Sequence, residues 1–221
     1  MRIQGPGSVG QGPEGKVKCQ ESRAKNLKDS CQLPASGKKE PRQTKNRKPG
    51  AGDCVILGVD PGSMVTGYGL IRSNEQENVL LECGVIKTDS KKPLPDKLKE
   101  IFEGLSQIIV LKHPDELAIE ETFYSKNAKS ALVMGQARGA AILAAACAGL
   151  RIAEYSPKEV KSSVVGQGSA SKLQVQFMVK NLLKLKDLPQ PLDAADALAI
   201  ALCHAQKMRF KSILSTRESI G

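Results

Sequence analysis

The chain has 221 residues, of which 40% are apolar and 25% charged, and its formal net charge is +10. This composition is sufficient for one folded core with additional chain outside it. The N-terminus lacks the apolar block of a secretory signal, and no stretch approaches the roughly 18 apolar residues that a membrane span needs. We therefore expect an intracellular, cytoplasmic protein without a membrane partner.

The first 52 residues differ in composition from the rest of the chain. They hold 12 Lys and Arg against 4 Asp and Glu, are rich in Gly and Pro, and show no periodic apolar pattern. Such a segment cannot bury enough surface to offset its chain entropy, so we predict a disordered basic extension over 1–52. It either adds non-specific affinity for nucleic acid or is a solvated extension without a specific role.

The cysteines form no CxxC pair and no zinc-finger spacing with histidine, so we expect reduced thiols. There are six of them: Cys19, Cys31, Cys54, Cys83, Cys147 and Cys203.

Three strands are predicted at the start of the folded part, at CVILGVD, VTGYGLIRS and NVLLECGVIKT. Their Val, Ile and Leu content and the short polar links between them favour an antiparallel meander. The segment 97–111 then repeats its apolar residues at helical spacing and is closed by His113 and Pro114. A short strand, ELAIEE, follows.

The long apolar segment 127–149 is predicted to be a helix that is largely buried, with Gly135 and Gly139 spaced for close approach to a neighbour. It could equally support dimerisation. After a fifth strand, RIAEYS, come a helix start at PKEVKSSV, an amphipathic helix capped by Ser169 or Ser171, and a last helix at LDAADALAIALCHAQKM.

The predicted order is β-β-β-α-β-α-β-α-α, an α/β domain in which a mixed sheet carries helices on its faces. We place this domain at residues 53–208 and a C-terminal tail at 209–221.

Four carboxylates occupy positions that are otherwise apolar. Asp60 ends the first strand, Glu120 ends the fourth, and Asp193 and Asp196 lie one turn apart on the last helix. Helix capping would explain Asp193 but not Asp196 as well. Burying an unpaired charge is costly, so such a set indicates a partner.

Several carboxylates can share one site when a hard cation such as Mg²⁺ or Mn²⁺ neutralises them. Two such ions about 4 Å apart can assist the attacking water and the leaving oxygen of a phosphodiester, as in nucleases. Asp60 is therefore expected to face metal, and Gly58, Gly62 and Gly67 to let backbone and phosphate come close.

Five collinear motifs carry a family resemblance over residues 54–208. They are GVDPGSMVTGYG (58–69), AIEETFYSKN (118–127), MGQARG (134–139), KSSVVGQGSASKLQV (161–175) and DAADALAIA (193–201). Together they resemble the RuvC family of crossover junction endodeoxyribonucleases. The resemblance implies a ribonuclease H-like fold, a homodimer, and Mg²⁺-dependent symmetric nicking of four-way junction DNA, alongside branch-migration proteins of the RuvA and RuvB type.

By the same resemblance, the catalytic and metal-binding acids are the four already singled out: Asp60, Glu120, Asp193 and Asp196. Two Mg²⁺ ions per site are expected, with Mn²⁺ as a possible substitute. Glu121 is left out because strand alternation turns it away from Glu120. His204 lies on an apolar helix beyond the acids and is interpreted as a packed or surface residue rather than a general base.

Contacts to DNA are expected from basic residues and one aromatic residue. Lys161 and Lys172 correspond to phosphate-contacting residues of the family, while Lys126 and Arg138 flank the motifs. Phe123 is expected to stack on an unpaired base, and the alternative is that it packs beside the fourth strand.

Three other functions remain open at this stage. A sugar kinase or actin-like ATPase shares the β-β-β start but requires a second domain with its own phosphate loop. A junction-binding protein without cleavage would lack one of the acids, and another nuclease of the same superfold would act on a different nucleic acid.

Overall fold

The computed structural model describes residues 20–21, 53–121 and 127–218 of the chain, which contain one mixed sheet with helices on both faces. The strands are β1 (Gln20–Glu21), β2 (Cys54–Asp60), β3 (Val65–Ser73), β4 (Asn78–Lys87), β5 (Glu116–Glu120) and β6 (Arg151–Tyr155). The helices are α1 (Leu94–Lys112), α2 (Ala128–Cys147), α3 (Pro157–Val165), α4 (Lys172–Leu182) and α5 (Leu192–Glu218).

The sheet has the strand order β1-β4-β3-β2-β5-β6. Strands β2, β3 and β4 form the predicted antiparallel meander, whereas β5 runs parallel to β2 and β6 runs parallel to β5. Val59 of β2 lies opposite Ile119 of the parallel strand β5. The residues that follow them, Asp60 and Glu120, therefore lie side by side at the C-terminal ends of the two strands. The topology thus brings together two acids that are far apart in sequence.

Side-chain alternation in β2 and β5 divides the core into two layers. Ile56 and Ala118 face the layer formed by α3, α4 and α5. Leu57, Val59 and Leu117 face the layer formed by α1 and α2. Because both faces are covered, the central strands are apolar throughout rather than alternating, which is the usual pattern for strands buried on two sides.

The helices after β6 begin at residues that cap them. Ser156 and Glu159 form a reciprocal capping box at α3, with Pro157 in the first turn, and Ser171 with Gln174 does the same at α4. Both predicted starts are confirmed. Three helices follow the last long strand, one more than the predicted order contains, because 157–165 forms a separate helix.

Helix α2 differs from its prediction in two respects. Only one stripe of it is buried, formed by alanines that face α1 and the sheet: Ala137, Ala141, Ala144 and Ala145. Gly135 and Gly139 have nothing within 4 Å of the position that a Cβ would take. The expectation of a largely buried helix was therefore wrong, because its neighbours in the chain cover one side only.

By length and composition alone, α2 is also long and apolar enough to cross a membrane. The statement that no segment comes near this limit was therefore wrong for α2. One such helix is weak evidence for a membrane span, because helices of soluble folds meet the same criterion.

Strand β1 is the part of residues 1–52 that the structure describes, and it pairs in parallel with β4, Gln20 lying opposite Gly84. Cys83, which precedes Gly84, is disulfide-bonded. The expectation of reduced thiols was wrong for this residue, whereas the described Cys54, Cys147 and Cys203 are free.

Candidate active site

Three structural elements bring the four predicted acids to one edge of the sheet. Asp60 is the last residue of β2, Glu120 is the last residue of β5, and Asp193 and Asp196 lie in the first two turns of α5. Each acid is partly buried, and each is followed or preceded by apolar residues that anchor its element in the core. The fold therefore brings the four acids to the same region, at the ends of β2 and β5 and the start of α5.

Glycines in β2 and β3 allow α5 to lie directly on the sheet. A Cβ at Gly67 would overlap the backbone oxygen of Asp193, and a Cβ at Gly58 would overlap that of Ala197. Gly67 pairs with Asp60 in the sheet, so this close approach sets Asp193 beside Asp60. These two glycines were expected to let backbone and phosphate come close, and the backbone that approaches them is that of the helix carrying two of the acids.

The electrostatics of Asp60 reflect the crowding of like charges. Burial is the main cause that raises the pKa of Asp60 to about 7, and the charges of Glu120, Asp196 and Asp193 raise it further. Lys172 acts in the opposite direction. Burial and the neighbouring acids thus favour the protonated form of Asp60 far more than in an exposed aspartate.

Glu120 experiences the same environment from the neighbouring strand. Burial raises its pKa above the usual range, and the charge of Asp196 adds to the effect, while Lys172 and Lys161 oppose it. Lys172 reaches from the start of α4 to Asp196, with its Nζ 2.8 Å from Oδ2. The pKa of Lys172 is raised, first by this hydrogen bond.

The donor set fits a hard divalent cation. Carboxylate oxygens are the ligands that Mg²⁺ and Mn²⁺ prefer, and burial, together with the neighbouring acids, disfavours the charged forms of Asp60 and Glu120, which a bound cation would stabilise. Within residues 53–121 and 127–218, however, no three acidic, histidine or cysteine side chains are arranged as a finished metal centre. Lys172 holds the carboxylate of Asp196, so this acid is engaged by a residue of the chain itself.

Only some of the residues expected to contact DNA lie near the acids in the described structure. Lys161 on α3 lies near enough to Glu120 to lower its pKa, and Lys172 lies at the site itself. Arg138 on α2 forms an ion pair with Glu154 of β6, which ties that helix to the sheet. Phe123 and Lys126 lie outside the described residues.

A buried polar chain behind the acids was not predicted. The Tyr155 hydroxyl lies 2.6 Å from Nδ1 of His204, and Nε2 of His204 lies 2.9 Å from the Glu116 carboxylate. Arg151 pairs with the same carboxylate, and the hydrogen bond from His204 is the main cause that lowers the pKa of Glu116. The interpretation of His204 as a packed residue is confirmed.

This polar chain joins the three elements that frame the site. Glu116 begins β5, which ends in Glu120; Tyr155 lies opposite Glu120 in the sheet; and His204 lies on α5, two turns beyond Asp196. A glutamate at the start of an apolar strand and a histidine in an apolar helix were the available sequence signals. They did not indicate each other, because 88 residues separate them.

Comparison with known proteins gives the same result along most of the chain. The family model described as crossover junction endodeoxyribonuclease RuvC matches residues 56–204. The RuvC protein of Shewanella frigidimarina is 57% identical over 151 residues, which cover 68% of this chain and 86% of the relative. That of Shewanella amazonensis is 52% identical over 167 residues, covering 76% and 95%.

Among solved structures, RuvC of Thermus thermophilus in complex with a Holliday junction substrate superimposes with a TM-score of 0.68 at 34% identity. The match covers 72% of this chain and 97% of that protein. The mixed sheet, its helices and the acidic edge define a nuclease of the ribonuclease H-like class.

The chain belongs to the RuvC family of crossover junction endodeoxyribonucleases. It is accordingly a hydrolase that acts on phosphodiester bonds of DNA, and membership implies the use of a divalent metal ion. The fold, family and enzyme class that the five motifs indicated are confirmed.

Proposed function

We propose that this protein is a homodimer that resolves Holliday junctions by paired, symmetric, Mg²⁺-dependent nicks during recombination and DNA repair. The observation that carries the proposal is the convergence of Asp60, Glu120, Asp193 and Asp196 at one edge of the sheet, with Lys172 among them. The protein would act on DNA in the cytoplasm. Branch-migration proteins of the RuvA and RuvB type would deliver the junction to it.

The four acids would hold two Mg²⁺ ions, with Mn²⁺ as a substitute. When bound, the ions would supply activation of the attacking water and neutralisation of charge on the leaving 3′ oxygen. The chain's own contribution is orientation: α5 is fixed on the sheet at Gly58 and Gly67, so Asp193 and Asp196 face Asp60. Burial excludes bulk water from the carboxylates and strengthens their attraction for a cation.

Positive side chains around the acids would hold the cleaved strand. Lys161 and Lys172 already act on the charges of the site, which supports their assignment to phosphates next to the scissile bond. Arg138, Lys126 and Phe123 stay in the proposal as more distant contacts, with Phe123 stacking on an opened base. Arg138 would have to exchange Glu154 for a phosphate.

The exposed apolar face of α2 supports the homodimer. Leu132 and Leu143 are 65% and 55% exposed, and they lie on the side of α2 that also carries the open positions at Gly135 and Gly139. Val110 and Leu111 of the neighbouring helix α1 are exposed as well. A junction has two scissile phosphates, so a two-fold enzyme with one site per chain suits it.

The domain organisation also stays a proposal. The nuclease domain would comprise residues 53–208, preceded by the basic extension 1–52 and followed by the tail 209–221. Helix α5 continues to Glu218, so the start of that tail is helical.

The test is incubation of the purified full chain with a synthetic mobile four-way junction and Mg²⁺. Paired symmetric nicks are expected, and they should disappear with EDTA and in the Asp60→Asn variant. Asp187→Asn is the matched control, since Asp187 is an exposed acid outside the site and its loss should leave cleavage intact. Tight junction binding without nicks, in Mg²⁺ and in Mn²⁺, would contradict the proposal and leave a structure-specific binding protein.

A further inference from the structure

Lys172 contacts the acidic site in an unusual way for a residue expected to hold DNA. It occupies the first helical position of α4, after the Ser171 cap, and its Nζ lies 2.8 Å from Oδ2 of Asp196 on α5. Its side chain is 67% exposed, whereas that of Asp196 is 23% exposed. The ammonium group of Lys172 therefore lies at the solvent side of the site and donates a hydrogen bond to the partly buried carboxylate of Asp196.

The charge of Lys172 acts on more than its direct partner. It opposes the increase in the pKa of both Asp60 and Glu120, which are the acids at the ends of β2 and β5. In return, the hydrogen bond that Lys172 donates to Asp196 raises the pKa of Lys172, and the charges of Asp60 and Asp193 raise it further. One ammonium group thus partly neutralises an acidic cluster built from three elements.

We propose that Lys172 is an internal counter-cation, which occupies the acidic site before metal binds and must release Asp196 for the ion to be held. The proposal rests on the function proposed above, because it takes the four acids to be the metal ligands. It adds a competition between one residue of the chain and the metal for the same carboxylate.

The geometry favours an exchangeable pair over a permanent one. An ammonium group on a flexible, exposed stem can rotate away at little cost, and ion pairs of this exposure contribute at most about 1 kcal/mol. A divalent ion with several carboxylates is the stronger partner for Asp196. Once released, Lys172 remains at the rim of the site, where an incoming phosphate can take the place of the carboxylate.

The test measures metal binding without DNA. The full-length protein is titrated with Mn²⁺ by calorimetry at one fixed pH for all variants. Lys172→Met should bind Mn²⁺ about fivefold more tightly than the unmodified chain, the factor that corresponds to a surface ion pair of about 1 kcal/mol. The Mn²⁺-induced increase in melting temperature should be larger in this variant for the same reason.

Two further variants make the result specific. Lys180→Met removes a lysine from the other end of α4 and should leave Mn²⁺ affinity unchanged. Lys172→Arg keeps the positive charge and should bind Mn²⁺ no more tightly than the unmodified chain, even if the methionine variant folds poorly. Circular dichroism of each metal-free variant checks the fold.

The outcomes separate the two proposals. Equal or weaker Mn²⁺ binding by Lys172→Met, or tighter binding by Lys172→Arg, would overturn the competition and leave the metal site standing. Failure of the unmodified chain to bind Mn²⁺ would overturn the metal site of the proposed function, and the competition with it.

Discussion

Asp60 shows why a single buried charge is informative. An ionised carboxylate at the end of an apolar strand is destabilising unless positive charge is near, and here three more acids surround it. Burial, and then these charges, raise the pKa of Asp60 from an ordinary 3.8 to about 7. The ionised form of Asp60 is therefore destabilising in the folded chain.

This effect has a defined pH dependence. Because the pKa of Asp60 is higher in the folded chain than in the unfolded one, the folded chain binds a proton more tightly, and stability falls as pH rises from about 4 to about 7. Asp60→Asn removes this loss, so at pH 8 it should be more stable than the unmodified chain by up to about 4 kcal/mol. Urea unfolding in EDTA at several pH values measures the difference.

The gain of Asp60→Asn should shrink as pH approaches 4 and vanish there. If Asp60→Asn is no more stable than the unmodified chain at pH 8, or is equally stabilised at every pH, the pKa of the Asp60 carboxyl is not raised by folding.

At the level of elements, the site depends on how closely α5 lies on β2 and β3. Small residues provide this closeness on both sides: glycine in the strands and alanine in the first turns of the helix, such as Ala194 and Ala197, which are fully buried. The polar chain from Tyr155 through His204 to Glu116 then fixes the helix to β5 and β6 farther along. Helix α5 is thus held against the sheet at two places, in its first turns and at His204.

Two glycines of β3 allow a matched test of this packing. A Cβ at Gly67 meets the backbone of Asp193, which cannot move without the helix, whereas a Cβ at Gly69 meets the Leu198 side chain, with Cδ2 at 2.6 Å. Gly67→Ala should therefore cost roughly 3 kcal/mol or more of unfolding free energy, and Gly69→Ala roughly 1 to 2 kcal/mol.

Gly67→Ala should also weaken Mn²⁺ binding, because the carboxylate of Asp193 moves with its backbone, while Gly69→Ala should retain most of it. Denaturant titration and Mn²⁺ calorimetry check the two expectations. The reverse order of the two variants would mean that α5 adapts more easily than its close approach indicates.

Strands and helices whose buried apolar side chains recur at regular spacing were predictable from the sequence. The β2 to β4 meander, α1 and the capped starts of α3 and α4 all follow from local residue order. The burial of α2 did not, since an apolar composition on all sides does not tell which side is covered by the same chain. The two residues of β1 form a strand only by pairing with β4, and nothing local marks them.

The acids of the site were predictable because each is a charge in an apolar context. The side-chain contacts around the acids could not be predicted. Lys172 contacts Asp196, and Glu116 contacts His204, between segments that only the fold brings together.

For the molecule as a whole, the apolar side chains exposed on α1 and α2 are a departure from the exterior expected of a lone chain. They are Val110 and Leu111 on α1, and Leu132 and Leu143 on one side of α2. Exposed apolar side chains grouped in this way commonly mark an interface between proteins.

If α2 forms the proposed dimer interface, Leu143→Glu should convert the dimer to a monomer, because a charge in an apolar interface loses its hydration without gaining a partner. Sedimentation velocity measures the change. Leu188→Glu is the matched control, since Leu188 is an exposed leucine away from both helices, and it should remain dimeric. The monomer is expected to lose coordinated pairs of nicks. An unmodified chain that sediments as a monomer would contradict this assignment of the face.

The order of the elements along the chain has a further consequence during protein synthesis. Asp60 and Glu120 are made early, but Asp193 and Asp196 belong to α5, the last element, which lies against strands formed more than a hundred residues before it. A ribosome that has not yet released α5 therefore carries an unfinished acidic site. Translation products that stop before α5 lack Asp193 and Asp196, two of the four acids proposed to hold the metal ions, so the proposed active site is complete only once α5 docks.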